Sequence, residues 1–190
     1  MKCVIVVEGK LDELLVSNAL KTEPKLKGKF KLAVAGGKSS AISLARSYLA
    51  STSAAVAILL DADTIEEGKI GEERDSTAYL LASVAASERF KVVLSVPTIE
   101  VVLFSDRALA RSIFKRQFTD VDWIKAETSP KRFLAELGFP AKDGLVTKIA
   151  RLLKGKDIHA CLQIPPLSEI RDFILDSSMG RHSLTAAISS

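Results

Sequence analysis

An apolar run that ends in two carboxylates constrains the fold more than any other part of this chain. Residues 54–64 read AAVAILLDADT, and the apolar residues through Leu60 lack the alternation of a half-exposed strand. A short, continuous apolar run indicates a strand covered on both faces, as in a parallel sheet flanked by helices. Asp61 and Asp63 follow at the carboxyl end of this strand, the end at which open α/β sheets bind their ligands.

Further strand and helix patterns make this run part of a repeating unit. Other strand patterns stand at 2–7, 30–35 and 90–96. Helical spacing of apolar residues predicts helices over 11–20, 39–50 and 77–87. The segment 64–73, TIEEGKIGEE, is acidic and contains two glycines, and we expect it to be a solvated loop. Strand and helix thus alternate three times before a fourth strand, which predicts an α/β fold with a parallel sheet of about four strands.

Beyond residue 104 the pattern changes to helices. Helical segments are predicted at 107–118, 129–138, 144–153 and 167–175, and the last residues, 177–190, lack a strong period. We therefore predict two parts, an α/β domain at 1–104 and a mainly helical C-terminal extension at 105–190 that packs on it.

Composition sets only broad limits on function. The 27 Lys and Arg exceed the 23 Asp and Glu by four, so a polyanionic partner is permitted but not required. No apolar run reaches 18 residues, and Glu8 interrupts the first one too early for a signal peptide, so we expect a cytoplasmic protein without membrane contact. Cys3 and Cys161 lack the spacing of a metal or redox site, and we expect both to lie in the core.

Acidic residues follow three of the four predicted strands. Glu8 ends the first strand, Asp61 and Asp63 end the third, and Glu100 follows the fourth, while Asp12 lies one helical turn after Glu8. The carboxyl ends of parallel strands share one edge, where such carboxylates repel each other unless a cation is present. Hard oxygen ligands suit Mg²⁺ or Mn²⁺, so the sequence predicts a metal site formed by these five residues.

The order of these motifs resembles a Toprim domain, the metal-dependent catalytic module of topoisomerases, primases and several nucleases. The matching stretches are VEG after the first strand, GGK after the second, LLDAD in the third and PTIE after the fourth, within about residues 1–104. The resemblance is strongest to the nuclease branch, the OLD (overcoming lysogenization defect) nucleases and small free-standing Toprim proteins, because Asp12 and Glu100 match acidic positions of that branch. Topoisomerase-type members more often have Gly where this chain has Glu66.

This resemblance implies cleavage of phosphodiester bonds in nucleic acid, with DNA as the expected substrate and Mg²⁺ or Mn²⁺ as the cofactor. Glu8, Asp61 and Asp63 would be the catalytic residues, in a role in defence or DNA repair. The resemblance also implies an ABC-type ATPase as a partner, and an oligomeric assembly is compatible with it. OLD nucleases contribute a basic residue from beyond the sheet, for which this chain offers Lys148, Arg151 and Lys154.

Glycines and basic residues complete the predicted site. Gly9 and the pair Gly36 and Gly37 would let the backbone approach a phosphate, and Lys38 would add a positive charge. Arg107 and Arg111, on the basic helix RALARSIFKR, are the best candidates for holding a nucleic-acid backbone beside the metal.

Three other interpretations are weaker or remain open. A Walker phosphate loop needs Gly where Leu32 stands, and the DxDxT motif of haloacid-dehalogenase-like phosphatases needs Thr or Val where Ile65 stands. The remaining alternative is a non-catalytic Toprim-fold protein, a regulatory or binding subunit of an ATPase-containing complex.

Overall fold

A four-stranded, all-parallel sheet lies at the centre of the protein. The computed structural model describes residues 3–140, 144–156 and 158–178. The strands are β1 (Cys3–Val7), β2 (Phe30–Val34), β3 (Val56–Asp61) and β4 (Phe90–Ser95), in the spatial order β2-β1-β3-β4. The fold class predicted from the sequence is therefore confirmed, and β1 and β3, whose ends carry most of the predicted acidic residues, lie side by side.

The two central strands are apolar along their whole length because both of their faces are covered. Ile5 and Leu59 point to one hydrophobic cluster, and Val6 and Ile58 point to a second cluster on the opposite face. All four side chains are at most 2% exposed. Truncation of such a residue to Ala costs about 2–5 kcal/mol of stability. The apolar pattern that predicted the sheet therefore also stabilises it.

Three helices connect the strands. They are α1 (Lys10–Leu20), which packs on the first face, and α2 (Lys38–Ser51) and α3 (Glu67–Ala82), which pack on the second. The predicted loop at 64–73 was wrong, since α3 begins at Glu67. Of its residues only Thr77 and Leu81 are buried, so an almost wholly solvated helix lacks the apolar period that would have revealed it.

Within the described residues, five helices follow the sheet. They are α4 (Arg107–Phe114), α5 (Asp120–Thr128), α6 (Pro130–Glu136), α7 (Leu145–Leu153) and α8 (Leu167–Ser178). Four match predicted segments, and α5 was missed. Thr119 and Asp122 cap its start reciprocally, each side chain accepting the other residue's N–H, which is the sequence signal that could have found it.

A cluster of aromatic rings packs α4, α5 and α6 against the segment that follows β4. Phe104 stacks on Phe114 with ring centroids 5.2 Å apart, and Phe118 contacts Trp123 at 5.0 Å and Phe133 at 6.0 Å. These rings belong to the same hydrophobic cluster as β1 and β3. The boundary at residue 104 stays a prediction, and the predicted tail lies outside the described residues from residue 179 onward.

Cys3 and Cys161 are both buried, as the sequence predicted. Burial raises the pKa of the Cys3 thiol to about 12, which keeps it protonated and unreactive. Among the described residues, no helix is long and apolar enough to cross a membrane.

Candidate functional site

The turn after β1 fixes the backbone around Glu8. The N–H groups of Gly36 and Gly37 both donate to the Glu8 carbonyl oxygen, at 2.8 and 3.1 Å. Gly36 and Gly37 have φ values of +89° and +134°, which favour glycine over any other residue. The Glu8 side chain reaches the neighbouring strand, where its Oε1 accepts the N–H of Asp61 at 2.8 Å. These hydrogen bonds connect the ends of β1, β2 and β3.

Asp61 and Asp63 lie at the end of β3, where the next loop holds them. Asp61 Oδ1 accepts the N–H of Ile99 at 2.8 Å, and the N–H of Asp63 donates to the Pro97 carbonyl oxygen at 2.8 Å. Asp63 has φ +54°, a left-handed conformation that Asp and Asn tolerate better than most residues. Hydrogen bonds with the segment after β4 therefore hold both aspartates in place.

Asp12 lies on the first turn of α1 and is 9% exposed. Its Oδ2 accepts the N–H of Gly9 at 2.8 Å and so caps the helix. Burial raises the pKa of Asp12 to about 6, against the effect of this hydrogen bond, and the charges of Asp61, Glu8 and Glu100 raise it further. The four acidic groups are therefore close enough to affect one another, and their joint binding of a metal stays a prediction.

Glu100 follows β4 in a short 3₁₀ segment, Ile99–Phe104, and is only 6% exposed. Its Oε2 accepts the hydroxyl of Thr98 at 2.6 Å. Burial raises the pKa of Glu100, and the Asp61 charge adds to this effect. Burial also raises the pKa of Glu8, with contributions from the charges of Asp61 and Asp63. Like charges thus accumulate at this edge.

Lys131 balances part of that charge, and the sequence did not predict it. Its Nζ lies 2.8 Å from Asp61 Oδ2 and 3.5 Å from Asp63 Oδ1. Burial alone would lower the pKa of Lys131, but the hydrogen bond and charge of Asp61 outweigh burial and raise it. Lys131 is the second residue of α6, which begins at Pro130. The ammonium group therefore stands between the two carboxylates of the DAD motif.

A second ammonium group, that of Lys38, lies at the start of α2. Its Nζ is 2.7 Å from Glu73 and 3.4 Å from Asp63 Oδ2. Burial opposes the charged form, but the hydrogen bond and charge of Glu73 raise the pKa of Lys38. Glu73 was missed because its helix was predicted as a loop. Lys38 thus contacts the acidic edge as a partner of carboxylates, and its contact with phosphate stays a prediction.

An open cavity of about 210 Å³ adjoins these groups. Asp63, Thr98 and Lys131 line it, together with Thr128, Ser129 and Arg132 around the start of α6. One carboxylate, that of Asp63, and two basic side chains, those of Lys131 and Arg132, meet on its wall, the combination that a phosphodiester and a divalent ion would require together.

Solved structures with a similar fold include C-terminal regions of OLD proteins. The region from Burkholderia pseudomallei matches with a TM-score of 0.56 at 14% identity, over 93% of this chain and 98% of that one. The chain has the OLD C-terminal fold. Two structures of the region from Xanthomonas campestris pv. campestris match with TM-scores of 0.50 at 15% and 16% identity, over 93% and 95% of this chain and 97% of theirs. No protein-family model and no curated protein matches the chain. The resemblance to the OLD branch is thus confirmed for the fold.

The basic residues that the sequence predicted beyond the sheet form no ion pair with the acidic edge among the described residues. Arg107 stacks over the Trp123 ring at 5.1 Å, and across the described segments no ion pair joins Arg107 or Arg111 to the acidic edge. Arg151 and Lys154 face α1 in another cavity. Lys131, which the sequence did not predict, is thus a basic side chain from beyond the sheet that contacts the acidic edge.

The predicted glycines Gly9 and Gly37 lie in the turns beside the acidic residues. The N–H of Gly9 is bonded to Asp12 and the N–H of Gly37 to the Glu8 carbonyl, so both support the carboxylates. Their contact with phosphate stays a prediction.

The carboxylates at the acidic edge of this chain are suitable donors for a hard cation, but they do not enclose one on all sides. Throughout residues 3–140, 144–156 and 158–178, no three His, Cys, Asp or Glu side chains stand close enough to hold one ion. Mg²⁺ is commonly held by one or two carboxylates, several waters and substrate phosphates. Asp61 and Asp63 supply two such carboxylates. The space between them already holds one cationic group, the Lys131 ammonium.

Proposed function

We propose that this protein is a nuclease of the Toprim type that hydrolyses phosphodiester bonds of nucleic acid, with DNA as the substrate and Mg²⁺ or Mn²⁺ as the cofactor. One observation carries the proposal: carboxylates from β1, α1, β3 and the segment after β4 converge around Asp61, with Lys131 between Asp61 and Asp63. The mutual repulsion of these acids destabilises the folded state, so a purely structural role does not account for them.

Asp61 and Asp63 would hold the ion, and Glu8, Asp12 and Glu100 would complete its surroundings through water. A bound divalent ion supplies charge neutralisation at the phosphate and lowers the pKa of an attached water. The backbone contacts of Asp61 with Ile99 and of Asp63 with Pro97 fix the two carboxylates before any ligand arrives.

Lys131 would then act on the substrate. When its carboxylate partners bind a cation, its ammonium group is released to contact a phosphate oxygen from the adjoining cavity. A positive charge aimed at an oxyanion stabilises the transition state by several kcal/mol. Glu8 would accept or donate a proton, and its raised pKa suits that role.

Plasmid cleavage with Mg²⁺ or Mn²⁺, and with EDTA as the blank, tests the proposal. Asp61→Asn is the informative acidic variant, because the amide oxygen still accepts the buried Ile99 N–H, whereas Ala would leave that group unpaired. We expect Asp61→Asn to abolish metal-dependent cleavage.

Lys131→Ala should lower the cleavage rate by about 100-fold. Its matched control is Lys125→Ala, which removes a surface lysine paired with Glu136 at 2.8 Å on the neighbouring helix and should leave cleavage unchanged. Undiminished cleavage by Asp61→Asn would refute the proposal.

A non-catalytic binding subunit is the second candidate. It is favoured by the ion pairs that Lys131 makes with Asp61 and Asp63, which satisfy the DAD motif without metal. Absence of nicking with either metal would support this alternative. An ABC-type ATPase as the partner and a location in the cytoplasm belong to the proposal in both cases.

A further inference from the structure

One side of α1 forms the floor of a groove. The lining residues recur at helical spacing and so belong to one stripe: Lys10, Glu13, Leu14, Ser17, Asn18 and Lys21. Leu14 and Asn18 also line a second cavity, of about 520 Å³, which extends past Thr22. The two cavities are therefore parts of one groove along the whole helix.

The opposite wall of the groove is α7 and the residues after it. Val146 borders the first cavity, while Thr147, Arg151 and Lys154 border the second. Lys156 closes the far end, where its Nζ donates to Ser112 at 2.6 Å. Arg151 and Lys154 have exposed side chains and enter no ion pair with another described residue. They are available to an external ligand.

The charge of this groove is strongly one-sided. Its described lining contains five basic side chains, Lys10, Lys21, Arg151, Lys154 and Lys156, and one carboxylate, that of Glu13. Glu13 is paired with Lys10 at 2.9 Å, so the basic groups beyond it lie without a nearby counter-charge in the lining. An anion with several charges in a row is the ligand that such a surface favours.

The groove begins at the candidate catalytic edge. Lys10 opens α1 directly after Glu8 and Gly9, and Asp12 lies in the same first turn. Eleven residues of α-helix span about 16 Å, and each strand of a DNA duplex carries one phosphate for about every 3.4 Å of the duplex axis. A duplex whose axis follows the groove from the acidic edge thus carries four or five phosphates of one strand over the length of α1.

We infer that the groove between α1 and α7 is a second nucleic-acid contact, which holds the phosphate backbone on one side of the cleavage site. This inference rests on the proposed function for its choice of polyanion. Its contacts are to phosphates, so the groove contributes affinity and orientation without sequence preference.

The test is binding of a fluorescein-labelled duplex of about 20 base pairs, long enough to cover both groove and edge, by anisotropy in EDTA over a range of salt concentrations. The variant is Arg151→Ala with Lys154→Ala. Loss of two phosphate contacts should reduce the slope of log K against log salt by about 1.8, which corresponds to about 60-fold weaker binding near 0.1 M salt. The matched control is Lys69→Ala with Arg74→Ala, two exposed positions of α3 on the other face of the sheet.

Lysine acetylation provides a measurement that does not depend on a variant. Bound DNA should protect Lys21 and Lys154 from acetylation and leave Lys69 reactive. An unchanged slope in the groove variant, an equal loss in the control variant, or equal acetylation with and without DNA would each overturn the inference.

The outcomes also separate this inference from the proposed function. Normal cleavage with an unchanged salt slope would contradict the groove as a DNA contact and support the nuclease function. A reduced slope without cleavage under either metal would support the groove as a DNA contact and contradict the nuclease function.

Discussion

Replacement of Asp12 by Asn should stabilise the protein at neutral pH, which is unusual for a buried, hydrogen-bonded helix cap. The Asp12 carboxyl has a pKa of about 6 in the folded protein and an ordinary value of 3.8, because burial and three neighbouring carboxylates disfavour its charge. A shift of about 2 units is worth about 3 kcal/mol between the two protonation states. Asn keeps an oxygen for the Gly9 N–H and removes the charge.

The sign of the effect depends on pH in a defined way. Below pH 3.8 the carboxyl is protonated in both the folded and unfolded states and has no penalty. Between pH 3.8 and about 6 the unfolded state loses its proton first, so the folded protein becomes less stable, and above about 6 the penalty is constant. Asp12→Asn should therefore match the parent protein in acid and exceed it at neutral pH.

Thermal unfolding followed by circular dichroism would measure the difference. A gain of up to about 3 kcal/mol corresponds to a Tm higher by about 6–12 °C for a chain of this size. Asp122→Asn is the matched control, since the Thr119 N–H lowers the pKa of Asp122 and the variant should lose stability. A gain in Tm for Asp12→Asn that is equal at about pH 4 and pH 8, or a lower Tm at pH 8, would show that the Asp12 charge does not destabilise the folded protein.

Three further predictions concern the supports of the site. Phe133→Ala should lower the free energy of unfolding by about 3–5 kcal/mol in urea denaturation, because its ring packs on Phe104 and Phe118 and anchors the helix that carries Lys131; a loss below about 1 kcal/mol would contradict this. Lys38→Ala should raise the pKa of Glu8 further, since the Lys38 charge lowers it, and a ¹³C NMR titration of the Glu8 carboxyl would show a fall if the idea is wrong. Both cysteines should resist a thiol reagent in the native protein and react after unfolding; rapid native reaction would show that the core is open.

The sheet and its acidic edge could be predicted because each strand carries its own signal. The run through Leu60 is apolar for a local reason, burial on both faces, and parallel topology then brings Glu8, Asp61 and Glu100 to one edge. Those steps require only the strand order along the chain and the rule that crossovers connect parallel strands.

Lys131 could not be predicted in the same way. The Ser129-Pro130 start of its helix was visible in the sequence, but its approach to Asp61 depends on aromatic packing between helices distant from the sheet in sequence. Glu73 was hidden for another reason, because a helix with only two buried side chains has no apolar period. Local patterns thus revealed the acids at the strand ends and Lys38, whereas the contact of Lys131 with Asp61 depends on tertiary packing.

We propose that Asp61 and Asp63 bind a divalent ion in place of the Lys131 ammonium group. Anomalous diffraction from a crystal soaked in Mn²⁺ would test this proposal directly. We expect an anomalous peak at the two carboxylates, with Lys131 moved toward the adjoining cavity. A crystal with no peak at this edge, in which Lys131 still bridges Asp61 and Asp63, would contradict it.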